Sequence, residues 1–325
     1  MTSPRTSTFA EESPQRDQPR NGDGPLHTAR RRFAVAIRRR GAHHRRRRRM
    51  PSMSVLPTLC TLGNLIAGFA AIHYAAREPT VRLLWHDWTP LTLAGALIFF
   101  GMFLDAIDGS LARLTRSNSP LGAQLDSLAD VVTFGVAPAF ITIRLVMNLL
   151  AGDQFIIGPE ADNIFGKVIW GAAAVYVSCA ALRLARFNVE MDNAEVNDHS
   201  LFRGLPSPGA AGTVASLVIL HQHLMVKFFS DTDAPGTFIK TAALGIPAIM
   251  LLCAFAMVSN IPYLHFTNRF VRGPRDFPYI VKTVIVLAFA LWLFKYTLAA
   301  AFTTYALSGP LRMLWRSRRT RAAPA

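Results

Sequence analysis

LTLAGALIFFGMFLDAIDGSLAR (Leu91–Arg113) is apolar enough over most of its length to cross a bilayer, yet it ends with Asp105 and Asp108. The next apolar stretch, AQLDSLADVVTFGVAPAFITIRLVMNLL (Ala123–Leu150), opens with Asp126 and Asp130. An ionised carboxylate near hydrocarbon is costly, so acids inside membrane helices point to function. The pattern reads Asp105-x-x-Asp108-Gly109-x-x-Ala112-Arg113, followed by Gly122-x-x-x-Asp126-x-x-x-Asp130. Carboxylates gathered this closely repel one another unless cations lie between them. The pattern therefore implies divalent metal, and metal beside a membrane implies chemistry on a phosphate.

Composition agrees with a membrane location. The chain has 325 residues, 51% of them hydrophobic, and a mean hydropathy of +0.27. These values exclude an ordinary soluble domain and fit an all-α, polytopic membrane bundle. The net charge of +15 is concentrated at the ends. Residues 1–50 hold 14 Arg against 4 acids, and 312–325 hold 5 Arg and no acid, so 51–311 is neutral. The basic excess belongs to tails and does not indicate a nucleic-acid-binding domain. We expect three parts: an Arg-rich tail over 1–50, a transmembrane domain over 51–311 and a basic tail over 312–325.

The first tail is rich in Pro, Ser, Gln and Arg, cannot bury a core and is expected to be disordered. No signal peptide is expected, because no long apolar run follows the first charges. The Arg runs 38–40 and 45–49 suit a positive-inside anchor and attraction to anionic headgroups. Cys60, Cys179 and Cys253 all fall in apolar stretches, and no disulfide is expected.

A membrane span needs about 20 apolar residues. Candidates are Leu56–Ala76, Leu91–Arg113, about Ala123–Leu150, Val168–Phe187, Gly209–Phe229 and Phe238–Val258. Pro278–Leu311 fits one long tilted helix or two short ones turning near Lys295. A cytoplasmic N-terminus puts Arg116 in the loop 114–122 inside, and the loop 151–165, with Asp153, Glu160 and Asp162, outside. The loop 259–277, with Arg269, Arg272 and Arg275, then returns inside. Two final spans also keep Arg312–Arg321 inside, so eight spans are favoured over seven.

At about 100° per residue, Asp105, Asp108, Gly109, Ala112 and Arg113 share one helix face, and Asp126 and Asp130 share another. The intervening Asn118-Ser119-Pro120 favours a turn. Two antiparallel neighbours then bring both acid faces together near the cytoplasmic headgroups. Asp105, Asp108 and Asp126 are hard oxygen ligands suited to Mg²⁺ or Mn²⁺. Gly109, Ala112 and Gly122 leave room for a ligand against backbone, and Arg113 offers a planar fork for phosphate. Asp130 is the candidate general base, placed to take the proton of an attacking hydroxyl.

These eight positions resemble the signature of the CDP-alcohol phosphatidyltransferases. The segments LPTLCTLGNLIAGFAAI (56–72), LDSLADVVTFGVAPA (125–139), ALRLARFNV (181–189), FRGLPSPGAAG (202–212) and MVSNIPY (257–263) resemble the bacterial membrane-type phosphatidylserine synthases within that family. The resemblance covers about 51–311. It implies a six-helix catalytic core, two divalent ions and a homodimer. It also implies phosphatidyl transfer from CDP-diacylglycerol to L-serine with release of CMP, at the cytoplasmic face of the inner membrane. By it, Asp105, Asp108, Asp126 and Asp130 are metal ligands, with Asp130 also the base. Gly109, Ala112, Arg113 and Gly122 line the cytidine diphosphate site.

Three further residues are candidate substrate contacts. Asn64 is costly inside the first span without a partner. It suits the donor or interhelical bonding. Arg183 and Arg186 end the fourth span, where they suit the serine carboxylate, the donor phosphates or the headgroups. Two alternatives stand beside serine transfer. One is the same chemistry with glycerol 3-phosphate, inositol phosphate or choline as acceptor. The other is a cation or proton carrier that uses the intramembrane acids.

Overall fold

The computed structural model describes residues 55–79, 88–115, 120–150, 156–192, 204–229, 236–261, 263 and 291–322. Expectations for the N-terminal tail, for Arg116 and Asp153, and for Arg269, Arg272 and Arg275 fall outside them. Among the described residues the structure is helical, with no strand. The helices are α1 (Val55–Ala75), α2 (Pro90–Thr115), α3 (Pro120–Asp130), α4 (Ala137–Leu149), α5 (Ile164–Asp192), α6 (Ser207–Phe229), α7 (Gly236–Val258) and α8 (Phe294–Ala322). A π-helical segment, Val131–Val136, joins α3 to α4 without a break.

Among the described residues six stretches are long and apolar enough to cross a bilayer: Leu56–Ala75, Pro90–Leu111, Leu121–Leu149, Ile164–Val189, Ser207–Phe229 and Gly236–Val258. The protein is a multi-pass membrane protein. Helix is the form expected there, because lipid offers no partner for an open backbone N–H or C=O. The expected spans over 56–258 match these within a few residues. α8 is not among the six; its C-terminal part carries Arg312, Arg316, Arg318, Arg319 and Arg321. Helix continues past residue 311, where the C-terminal tail was expected to begin. The apolar residues expected to open the seventh and eighth spans, 278–290, lie outside the described residues. Leu293, beside the expected turn at Lys295, is a turn residue between helical Trp292 and α8.

Local signals set the helix ends. Thr89 Oγ1 accepts the Thr92 N–H at 3.1 Å, capping α2, whose first residue is Pro90. Arg144 donates to the carbonyls of Ala75 and Ala76 at 3.1 and 3.2 Å, covering the end of α1. Gly204 turns with φ 95°, and its N–H reaches Ile261 O at 2.9 Å. The Leu205 N–H reaches Ala256 O at 2.9 Å, so the lead into α6 is pinned to the end of α7.

Outward faces are apolar: Ile66, Phe69, Phe103, Leu128, Leu182 and Leu252 are all exposed. On a bundle in lipid these are solvated by hydrocarbon, not by water. Inward faces use small residues for close approach. A Cβ added at Gly101 of α2 would stand 2.7 Å from Thr133 Cγ2 and 2.8 Å from Asn64 Oδ1. One added at Gly68 of α1 would stand 2.8 Å from Thr133 Cα. α1, α2 and the π segment therefore meet around Thr133. The buried Tyr176 of α5 donates to Phe134 O at 3.1 Å, supplying a partner within the π segment.

Candidate active site

Asp105 and Asp108 lie near the C-terminal end of α2, and Asp126 and Asp130 lie one turn apart on α3. The π segment begins at the residue after Asp130. Single π turns inside helices are frequent at functional sites. α2 and α3 bring the two acid pairs together at one cavity. One carboxylate oxygen from each of Asp105, Asp108 and Asp126 lies within 4.8 Å of the other two. Asp108 and Asp130 are buried, while Asp105 and Asp126 are half-buried.

All four carboxylates line one cavity of about 500 Å³. That size is ordinary for a small-molecule site. Gly109, Ser127, Arg183, Asn188 and Ser207 line it as well, so its wall draws on α2, α3, α5 and the start of α6. Among the described residues nothing lies within 4 Å of a Cβ built on Gly109, which keeps this part of the wall open.

The donor set fits a hard divalent cation. Asp126 Oδ1 is buried and has no hydrogen-bond partner among the described residues. A buried anionic oxygen without a donor is costly, and a cation among three carboxylates would satisfy it. Oxygen-only ligands suit Mg²⁺ or Mn²⁺ better than softer metals.

Two side chains of α1 hold the cluster from behind. Thr61 Oγ1 donates to Asp108 Oδ2 at 3.0 Å, with Pro57 O an alternative acceptor at 3.1 Å. Asn64 Nδ2 donates to Asp130 Oδ1 at 3.0 Å. Asn64 is not among the residues lining the cavity; it reaches one that is. Across the cavity wall, Arg183 Nη1 donates to Ser207 Oγ at 2.8 Å. Asn188 Nδ2 donates to Ser127 Oγ at 2.9 Å, tying α5 to α3 between the two aspartates of α3.

The other sequence candidates are distributed unevenly. Arg183 lines the cavity, whereas Arg186 does not and reaches Asn260 Oδ1 at 3.2 Å. Gly122, in the first turn of α3, is half-buried and not a lining residue. Ala112 and Arg113 continue α2 as helix, and their side chains fall outside the description. Sequence reasoning did not single out Thr61, Ser127, Asn188 or Thr133. Thr61 and Asn64 had a readable signal, as polar residues three apart, on one helix face, within a largely apolar span. Ser127 sits between the two α3 aspartates. Asn188 and Thr133 had no such signal.

Comparison with known proteins bears on the chemistry. The sequence model of the CDP-alcohol phosphatidyltransferase family matches residues 54–258. The chain is 32% identical over 212 residues to the CDP-diacylglycerol–serine O-phosphatidyltransferase of Helicobacter pylori, covering 65% of this chain and 73% of that protein. It is 30% identical over 217 residues to the protein of that name from Bacillus subtilis, covering 67% and 94%. It is 32% identical over 256 residues to the one from Mycobacterium bovis, covering 71% and 80%.

Proposed function

The chain belongs to the CDP-alcohol phosphatidyltransferase family, and on that premise we propose that it transfers a phosphatidyl group from CDP-diacylglycerol to L-serine. The products are phosphatidylserine and CMP. The observation that carries this reading is the convergence of Asp105, Asp108, Asp126 and Asp130 on one cavity. The names of the H. pylori, B. subtilis and M. bovis relatives support serine as acceptor.

The cavity sits at one end of the apolar helices, which suits a donor whose acyl chains remain in lipid. Asp105, Asp108 and Asp126, with Asp130, would hold two divalent ions, Mg²⁺ or Mn²⁺. Bound there, the ions supply neutralising charge for a diphosphate and its leaving group. Gly109 offers open wall against which the cytidine diphosphate can lie, with Ala112, Arg113 and Gly122 beside it on the resemblance. Arg183, held by Ser207, carries a cation at the wall and suits the serine carboxylate.

Asp130 accepts the proton of the serine hydroxyl as its oxygen attacks the phosphatidyl phosphorus. The bond from phosphorus to the CMP oxygen breaks as the new ester bond forms, and CMP leaves. The clustering of acids at a bundle end, beside an Arg and an open Gly, favours a phosphate ligand over a carrier path through the bilayer centre. We place the enzyme in the cytoplasmic membrane with its site at the cytoplasmic face, from the Arg distribution. A homodimer rests on the family resemblance.

The test is CMP release by purified protein with CDP-diacylglycerol and, in parallel, serine, glycerol 3-phosphate, inositol phosphate or choline. Serine-dependent release with formation of phosphatidylserine is expected. Release with another alcohol and none with serine would move the chain to a different acceptor within the family.

A further inference from the structure

We propose that Asn64 is a positioning residue that fixes the carboxylate of Asp130; this rests on the reading of Asp130 as base. Asn64 is fully buried on α1, and its amide nitrogen lies 3.0 Å from Asp130 Oδ1. Its backbone carbonyl accepts from Thr133 Oγ1 at 2.9 Å. Thr133 is also fully buried and sits in the π segment, three residues beyond Asp130. One residue of α1 is thus tied on both sides of the α3–π junction, once through its side chain and once through its backbone.

The chemistry of the amide shows what this contact serves. Among the described residues Asn64 Oδ1 is buried without a hydrogen-bond partner. An unmet buried acceptor costs about 1–3 kcal/mol, a cost that a leucine of similar size would avoid. Flipping the amide would set its oxygen against the carboxylate, so the nitrogen must face Asp130. Gly101 leaves the space that the amide oxygen occupies, 2.8 Å from where a Cβ would stand. Packing alone would favour an apolar residue here. The amide is retained for its hydrogen bond to Asp130, which stops the carboxylate rotating and leaves Oδ2 as the oxygen not engaged by Asn64. Because Asn64 does not line the cavity, it acts through Asp130 and not on substrate.

The experiment compares unsubstituted protein with Asn64→Leu and Thr133→Val, each purified in detergent. CMP release is measured over both substrate concentrations, and thermal midpoints are recorded. For Asn64→Leu we expect kcat to fall about tenfold or more, since proton transfer needs close alignment. KM for both substrates should stay within about twofold. Its midpoint should move by less than about 3 °C. Thr133→Val, which frees the Asn64 backbone, should lower kcat by a smaller factor, also without moving KM.

Unchanged kcat in Asn64→Leu overturns the proposal. A raised KM at unchanged kcat also overturns it, by making Asn64 a substrate contact. A large fall in midpoint alongside lost activity assigns Asn64 to stability alone. If Asn64→Leu does not fold, Thr133→Val decides, and wild-type kcat there overturns the proposal. No serine-dependent release by the unsubstituted protein refutes the serine reading only; the series then runs with whichever alcohol supports release. Silence with every alcohol overturns both.

Discussion

Thr61 Oγ1 lies 3.0 Å from Asp108 Oδ2, so a hydroxyl on α1, a helix with no acid of its own, holds a carboxylate on α2. The bond joins residues 47 apart in the chain. Such outer partners orient ligand groups and commonly contribute 10–100-fold to metal affinity. Thr61→Val keeps the shape and removes the donor. It should raise the Mn²⁺ concentration for half-maximal activity about tenfold, with near-normal turnover at saturating metal. Mn²⁺ titration followed by electron paramagnetic resonance checks the affinity without turnover.

Among the described residues no donor reaches the buried Oδ1 of Asp126, which lies among like charges. Asp126→Asn should abolish phosphatidyl transfer, yet stabilise the metal-free protein by relieving repulsion. An effect of about 1 kcal/mol corresponds to a rise of roughly 2–4 °C in thermal midpoint in a chelating buffer. Added Mg²⁺ should stabilise the unsubstituted protein and have little effect on this variant. A lower midpoint for Asp126→Asn in chelator would count against a repulsive cluster.

Asp130→Asn retains size and polarity but cannot accept a proton from the alcohol. The fold should persist, and transfer should fall about 10²–10⁴-fold. Near-normal turnover by the purified, folded variant would remove Asp130 from the role of base.

Gly101 and Gly109 stand two turns apart on α2 and should respond oppositely to alanine. At Gly101 the new methyl meets Thr133 Cγ2 at 2.7 Å and Asn64 Oδ1 at 2.8 Å. Gly101→Ala should destabilise by about 1–3 kcal/mol, read as a lower thermal midpoint. At Gly109 none of the described residues lies within 4 Å, so Gly109→Ala should raise the midpoint slightly, since alanine favours helix over glycine by up to about 1 kcal/mol. If the cytidine diphosphate lies there, KM for CDP-diacylglycerol should rise while the fold stays intact. Unchanged kinetics would clear Gly109 of donor contact.

Arg183 and Arg186 illustrate how far a sequence can separate neighbours. Three residues apart on α5, both had equal claim to a substrate from composition and position. Only Arg183 reaches the cavity, where Ser207 holds it; Arg186 is directed to Asn260. The difference depends on where α6 and the end of α7 pack against α5. Asn64 is similar. Its burial in an apolar span called for a polar partner, and that partner proved to be a side chain 66 residues away.

The lengths of the six spans, the grouping of Asp105 with Asp108 and the grouping of Asp126 with Asp130 were determined by the sequence alone. These features depend on local quantities: hydropathy over one helix length, and the angle that a helix turns in three or four residues. The π segment after Asp130, the grip of Thr61 and Asn64 on acids of other helices, and the cavity shared by α2, α3, α5 and α6 were decided only by the tertiary structure. Each requires helices distant in the chain to approach within hydrogen-bonding reach, and that approach is set by packing at sites such as Gly68, Gly101 and Thr133, which no local periodicity encodes.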